Sequence, residues 1–255
     1  GTLSLHGSGW ADAPRGWRDP FFPEATGDWA TFPALGDFFT YDGSGAMPGR
    51  TWVIAPDAQS LRHRWDRLVA EKDLARKEVL FHPHEGGDKT VAKEAQKGIA
   101  GHEHRPMAVR DDDGDSVMPV RYAFRSLDRQ WIIPDSRLLN RPNPTLWATH
   151  SPRQVYITAL HRAAPTSGPA LSIAVSIPDL DHYNGRGGRV YPLWGDAAAT
   201  KPNIAPSMLS LLADALGEVS PEDVMAYIAA VLAHPAFTAR FQPDLVQPGL
   251  RVPLT

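Results

Sequence analysis

The spacing of hydrophobic residues changes along this 255-residue chain, from short apolar runs in its middle to a helical repeat near its end. Runs rich in Val, Ile, Trp and Tyr predict strands. Four such runs follow one another: QWIIP at 130–134, QVYITAL at 154–160, ALSIAVSI at 170–177 and RVYPLW at 189–194. After them, Ser220 as an N-cap and Pro221 in the first turn predict a helix that ends before Pro235.

The first half of the chain gives weaker periodic signals. Asp57 is placed to cap a helix over 58–69, and a second helix is expected over 89–99. An acidic run at 111–115, DDDGD, predicts an exposed turn. Further strands are expected at 51–56, 78–83, 107–110 and 117–124.

Strands followed by a helical end predict an α+β fold, with a mixed or mainly antiparallel sheet, flanking helices and a helical C-terminal cap. Residues 1–50 are rich in aromatic residues and Pro and have little periodicity, so we expect an irregular strap that leads into the domain. Residues 51–200 are expected to form the core of the domain, and 201–255 its helical cap.

Charge is unevenly distributed along the chain, although the formal net charge is only −3 at pH 7. Residues 121–170 contain seven arginines, two aspartates and no lysine. The planar fork of arginine suits phosphate and guanine recognition better than the point charge of lysine does. The same pattern also fits arginines that pair with acidic neighbours or lie over the core, and composition alone leaves both interpretations open.

Several catalytic signatures are absent from the sequence. It contains no phosphate-binding loop ending in Gly-Lys-Ser/Thr, no Gly-x-Ser-x-Gly nucleophile elbow and no Asn/Asp-Pro-Pro-aromatic motif. The absence of cysteine excludes disulfides and thiolate metal sites and fits a cytoplasmic location. Since no run of eighteen apolar residues occurs, we expect no membrane partner.

Four histidines offer an alternative chemistry, a metal site formed by His82, His84, His102 and His104. Their spacing is not that of ligands on one helix, and no carboxylate is placed to orient them. We therefore expect no metal site. The acidic run at 111–115 lacks the distal Glu of a calcium loop.

Three segments contain the residue types that recognise nucleic acid. Residues 125–147 combine four arginines with two tryptophans, and they place Asn140 beside Arg141, a pairing suited to adenine and guanine edges. The Gly-rich loop within 179–194 lets the backbone approach a phosphate, with polar side chains around it. The predicted helix over 89–99 places three lysines on one face, which fits either a phosphate contact or a solvated surface.

Four features resemble the C-terminal target-recognition region of Type ISP restriction-modification enzymes. Such enzymes carry nuclease, ATPase, methyltransferase and DNA-specificity parts on one chain. The first three features are a Pro-Glu-Asp helix start with an Ala-Tyr-Ile core, a His-Pro-Ala-Phe break with a closing Arg-Val-Pro-Leu, and the Val-Tyr-Pro-Leu strand. The fourth is RSLDR at 125–129 followed by LLNRP at 138–142, in which Ser126 and Leu127 replace the family's Pro and aromatic residue.

The resemblance implies a non-catalytic fragment of a longer chain that selects a short sequence in duplex DNA. Its other partner would be the methyltransferase domain of the same parent chain. S-adenosylmethionine, ATP and Mg would bind to the parent, and no cofactor to this fragment.

On this interpretation, one set of side chains reads base edges in the major groove and another contacts phosphates. The expected base-reading residues are Arg137, Asn140, Arg141, His182, Asn184, Arg186 and Arg189. The expected phosphate-contacting residues are Lys89, Lys93, Lys97, Arg125, Arg129 and Arg153.

Two other classes of function stay open at this stage. The chain could be a protein-interaction module of a larger protein, in which the aromatic strap and the helical cap dock against a partner. It could also be a metal hydrolase built around the four histidines.

Overall fold

The computed structural model describes residues 27–82, 89–94, 97–161, 165–183, 188–246 and 249–254. The helices are α1 Gly27–Thr31, α2 Ala58–Ala70, α3 Leu74–Phe81, α4 Pro144–Trp147, α5 Pro206–Leu216, α6 Pro221–Ala233 and α7 Pro235–Arg240. The strands are β1 Ile54–Ala55, β2 Val120–Arg125, β3 Asp128–Ile132, β4 Tyr156–Leu160, β5 Leu171–Ala174 and β6 Gly188–Pro192. No described helix has the length and apolar character that crossing a membrane would require.

The strands form two small antiparallel sheets, ordered β1-β3-β2 and β5-β4-β6. In the first sheet, β2 and β3 form a tight hairpin in which Arg125 pairs with Asp128, and a register shift interrupts β2 between Ala123 and Arg125. In the second, Tyr156 in the central strand pairs with Ala174 on one side and Pro192 on the other. The predicted α+β class with mainly antiparallel strands is confirmed.

Two hydrophobic clusters lie on opposite faces of β4. Because successive side chains of a strand point to opposite faces, Ile157 and Ala159 join one cluster while Tyr156 joins the other. The first cluster contains the C-terminal helices α5–α7 together with residues near the start of the described chain. There, Trp29 contacts the ring of Phe241 at a centroid distance of 5.1 Å. The second cluster contains α2, α3 and the β1-β3-β2 sheet.

Helix α2 begins where its cap predicts, since the Asp57 carboxylate accepts a hydrogen bond from Ser60 N at 2.7 Å. Helix α6 likewise begins after Ser220, which forms a capping box with Asp223. The predicted strand segments at 117–124, 130–134, 154–160, 170–177 and 189–194 each overlap an observed strand, and that at 51–56 contains the two-residue β1.

Three element predictions are wrong. Residues 78–83 were expected to form a strand, but residues 78–81 belong to helix α3, which ends at Phe81. The helix forms because Asp73 caps its start and accepts a hydrogen bond from Arg76 N at 2.8 Å. The described residues of 89–99 form turns, coil and an isolated bridge at Ile99, not a helix. Residues 107–110 lead into a short 3-10 turn, Val109–Asp111, instead of a strand.

The acidic run is less exposed than predicted. Asp112 is buried, with 2% of its surface accessible. Its carboxylate accepts hydrogen bonds from Arg105, Arg137 and the backbone N–H of Gly114. The pKa of Asp112 is lowered because these hydrogen bonds and the Arg137 charge outweigh the cost of burial.

Candidate nucleic-acid interface

Residues 43–47, called the crossing segment here, connect three distant parts of the chain. Gly43 exchanges two backbone hydrogen bonds with Val190, at 3.1 and 2.7 Å. Ala46 donates to Pro178 O at 2.9 Å and accepts from Leu180 N at 2.7 Å. Met47 exchanges two hydrogen bonds with Arg141, at 2.8 and 2.9 Å. The segment thus holds β6, the loop after β5 and the turn around Arg141 next to one another.

Gly45 lies at the tightest point of the crossing segment. A Cβ atom at this position would overlap the backbone of Asp179 and Leu180. Glycine is needed here because two backbones approach each other closely, and not because of an unusual φ angle. The pattern Gly-Ser-Gly at 43–45 is the sequence signal of this approach.

The Asp179 carboxylate accepts three hydrogen bonds and holds the loop that follows β5. One carboxylate oxygen accepts from the Tyr122 hydroxyl at 2.6 Å. The other accepts from Arg125 Nη1 at 2.7 Å and from Asp181 N at 2.8 Å. Burial raises the pKa of Asp179, although these donors oppose the shift. Burial and the neighbouring carboxylate raise the pKa of Tyr122 well above its usual range, so the hydroxyl remains a donor.

The tip of the β2–β3 hairpin is hydrogen-bonded to this loop. Ser126 Oγ, at the tip, donates to His182 O at 3.0 Å. His182 is itself buried, with Nδ1 2.9 Å from Thr158 Oγ1 on β4. We call the resulting assembly the Asp179 cluster: residues 43–47, 122–129, 140–143, 179–183 and 189.

The Asp179 cluster brings together several of the predicted site residues. Arg141 is exposed, and Asn140 beside it is half-buried. Arg129 is exposed at the start of β3. Arg125 keeps 40% of its side chain accessible while paired with Asp179, and Arg189 keeps 37% while paired with Asp42.

Arg141 and Arg189 are both tied to the crossing segment. Arg141 exchanges two backbone hydrogen bonds with Met47, and the residue after Arg189 bridges to Gly43. Gly43 and Met47 are four residues apart, so their Cα atoms are separated by at most about 14 Å.

Two predicted base-reading residues lie in the protein interior, which corrects their expected exposure. The Arg137 side chain is 4% accessible and is held by Asp135 at 2.7 Å and Asp112 at 2.8 Å. It also donates to Met107 O at 3.0 Å, so its guanidinium is engaged inside the fold. His182 is 2% accessible, and burial lowers its pKa to about 4. Both therefore support the structure and present no base-reading group at the surface.

The predicted lysine stripe does not exist as a helical face. Lys89 is buried, and its ammonium group donates to Ser136 O at 3.1 Å. Lys93 is half-buried and Lys97 is exposed. Ser136 Oγ also donates to Lys97 O at 3.0 Å.

Arg153 is exposed but lies at the other end of the second sheet. Its guanidinium is over the Trp194 ring, 5.5 Å from the centroid, beyond the Tyr156 end of β4. The Asp179 loop meets the opposite end, where Leu160 pairs with Gly188. Asn184 and Arg186 lie outside the described residues, and their assignment stays a prediction.

Sequence patterns do not reveal the acidic and aromatic partners that position these arginines. Asp42, Asp179 and Tyr122 are each separated in sequence from their partner by more than fifty residues. The one local signal was Asp179 directly after Pro178, where an aspartate side chain can organise the following turn.

The three described histidines of this set lie in separate surroundings. His102 lies edge-on to Trp147 at a centroid distance of 5.2 Å, and His104 Nε2 is 2.9 Å from Ser136 Oγ. His82 is exposed after α3, and His84 is outside the described residues. In the part of the chain that the structure describes, no three metal-binding side chains come together.

Comparison with protein families matches residues 37–255 to the Type ISP C-terminal specificity domain. No curated protein matches the chain. Among solved structures, the DrdV–DNA complex superposes with a TM-score of 0.58 at 18% identity, covering 90% of this chain and 24% of that one.

Two further solved structures share the fold. One is a nuclease-deletion mutant of the Type ISP restriction-modification enzyme LlaGI with a DNA substrate mimic, with a TM-score of 0.55, 16% identity and 89% of this chain covered. The other is the ATP-dependent Type ISP enzyme LlaBIII bound to DNA, with a TM-score of 0.57, 12% identity and 89% covered. The chain spans only 18% and 15% of these two proteins.

Proposed function

This chain belongs to the family of Type ISP C-terminal specificity domains, and we propose that it reads a short sequence in duplex DNA through the Asp179 cluster. The observation that carries the proposal is the convergence of the hairpin tip, the Asp179 loop and the Arg141 turn on one crossing segment. The solved structures that share the fold are DNA complexes, which supports duplex DNA as the ligand.

Four side chains of the cluster are the proposed readers: Arg125, Asn140, Arg141 and Arg189. An arginine fork can donate two hydrogen bonds to guanine, and asparagine can bind adenine in the same bidentate way. Arg129, exposed beside the tip, is proposed to contact a phosphate. Asn184 and Arg186 belong to the same loop in sequence and remain proposed readers.

The acidic partners of the arginines favour selectivity over general affinity for polyanions. Asp179 and Asp42 each neutralise one arginine while leaving more than a third of its side chain accessible. A paired guanidinium is held in position before DNA arrives, so less conformational entropy is lost on binding. The net charge of −3 also favours weak non-specific binding, because binding that does not depend on sequence comes from neutralising phosphates with positive charge.

We further propose that the chain carries no catalytic step of its own. The parent protein would be an adenine methyltransferase and endonuclease in the cytoplasm, and its other domains would bind S-adenosylmethionine, ATP and Mg. The methyltransferase domain of the same chain would contact the opposite face of the duplex.

Selection from a pool of randomised duplexes tests this function. The 255-residue chain is immobilised, bound duplexes are recovered over several rounds, and the enriched sequences are read. We expect one short asymmetric sequence to emerge. The outcome that contradicts the proposal is recovery of the pool unchanged at every salt concentration from 50 to 200 mM, the range over which phosphate contacts weaken strongly.

A further inference from the structure

The β2–β3 hairpin ends in a fully exposed leucine. Leu127 is 100% accessible, the highest value among the large apolar side chains that the structure describes. It occupies the tip between Arg125 and Asp128, which pair with each other across the turn. Isolated exposed leucines are common on protein surfaces, so the position of Leu127 within the cluster carries the argument.

The tip is a narrow, two-stranded ribbon. Strand β1 pairs only with Trp131 and Ile132, at the far end of β3. In the described part of the chain, no third strand pairs with residues 124–130. The major groove of B-form DNA, about 12 Å wide, admits a two-stranded ribbon.

The tip is also fixed relative to the proposed readers. Ser126 Oγ is bonded to His182 O at 3.0 Å, and Arg125 is bonded to Asp179 at 2.7 Å. Leu127 therefore has a positioned guanidinium two residues before it, and Arg129 follows two residues after. Arg125, a proposed base reader, and Arg129, a proposed phosphate contact, can both approach the duplex while the apolar side chain between them faces the groove.

We propose that Leu127 reads thymine by contacting its 5-methyl group in the major groove. The methyl group is the apolar feature that distinguishes base edges there. This inference rests on the proposed function and assigns one position of the target to an apolar contact. It accounts for a leucine at a site where an arginine or asparagine would select guanine or adenine.

The test compares thymine with deoxyuracil in the duplex enriched by selection. Deoxyuracil keeps the base pair and removes only the methyl group. For the unmodified chain, one thymine-to-deoxyuracil change should weaken binding about four-fold, the effect of burying one methyl group. In the Leu127→Ala variant, thymine and deoxyuracil duplexes should bind equally.

Leu216→Ala is the matched control, because Leu216 is 70% accessible at the end of α5 and outside the cluster. It should keep the full thymine preference. The inference is overturned if Leu127→Ala still discriminates deoxyuracil, if it weakens both duplexes equally, or if the enriched sequence contains no thymine. Failure of the unmodified chain to enrich any sequence would instead contradict the proposed function itself.

Discussion

Arg125 Nη1 lies 2.7 Å from Asp179 Oδ1, and this ion pair joins strand β2 to the loop after β5. The same guanidinium stacks over Phe124, 4.0 Å from the ring centroid. In the described part of the chain, its Nε and Nη2 groups donate no hydrogen bond. The arginine is therefore held on one edge and has donors left on the other, as a preorganised base reader requires.

Removing the Asp179 charge tests this arrangement. Asp179→Asn can still accept from Tyr122 but no longer pairs with Arg125. We expect the preference for the selected duplex over a scrambled one to fall by up to about 1 kcal/mol, the size of a partly exposed ion pair. Part of the loss should be tighter binding to the scrambled duplex, because a positive charge is released.

Competition binding at fixed salt measures both affinities. Asp196→Asn removes one negative charge from an exposed turn outside the cluster and should leave the preference unchanged. An equal rise in scrambled-duplex binding for both variants would mean that net charge, and not the position of Arg125, sets the preference.

Arg137 should prove essential for stability. Arg137→Ala leaves the buried Asp135 and Asp112 without their shared cation. Breaking a buried ion pair in this way costs about 3–5 kcal/mol. Urea unfolding measures the loss, with Arg129→Ala as the exposed control, for which we expect about 0.5 kcal/mol or less. A loss for Arg137→Ala as small as that of the control would show that the buried network is not formed.

His182 should make stability fall as the solution is acidified. Its pKa is lowered from 6.5 to about 4 by burial, so the unfolded chain binds a proton between these values and the folded chain does not. The contribution of His182 to the free energy of unfolding is therefore fully present above pH 6.5, and it is lost as the pH falls toward 4. From pH 7 to pH 5 the contribution of His182 is about 2 kcal/mol.

Urea unfolding at pH 7 and pH 5 provides the measurement. His182→Gln should lose about 2 kcal/mol less than the unmodified chain over this interval. His63→Gln, on the exposed side of α2, should behave as the unmodified chain does. An identical pH dependence in all three proteins would contradict a buried, neutral His182.

Gly45 should tolerate no side chain. In Gly45→Ala, the new Cβ would overlap the Asp179 backbone, and the crossing segment must move away from the loop. Overpacking of this kind costs about 1–3 kcal/mol. Gly36→Ala is the control, because nothing lies within 4 Å of its Cβ position. Thermal unfolding compares the two, and equal melting temperatures would contradict the close approach.

Sequence patterns predicted the elements whose determinants are local. The caps Asp57 and Ser220 fix the starts of α2 and α6, and runs of β-branched and aromatic residues mark the longer strands. Helix α3 was misassigned because EVLF has strand-like composition, while the deciding signal, the Asp73 cap, lies five residues earlier. The strand-like composition of EVLF is outweighed there by the Asp73 cap and by the packing of Phe81, which is fully buried in the helix.

Side-chain partners could not be predicted in this way. Arg137 and Arg141 look alike in the sequence, yet one is enclosed by Asp112 and Asp135 and the other is exposed. The difference depends on Asp112, twenty-five residues away in a run that looked solvated. Contacts of such separation are set by the fold, so an arginine-rich segment indicates a function without showing which arginines perform it.

The most direct test of the Asp179 cluster as the reading surface is the affinity ratio between the selected and scrambled duplexes. The double variant Arg141→Ala, Arg189→Ala removes two proposed readers, and Arg110→Ala, Arg153→Ala removes two arginines outside the cluster as a control. Each reader should contribute about 1–3 kcal/mol of discrimination. We predict that the ratio collapses in the first variant and persists in the second; an unchanged ratio in the first, with the fold intact by circular dichroism, would contradict the account.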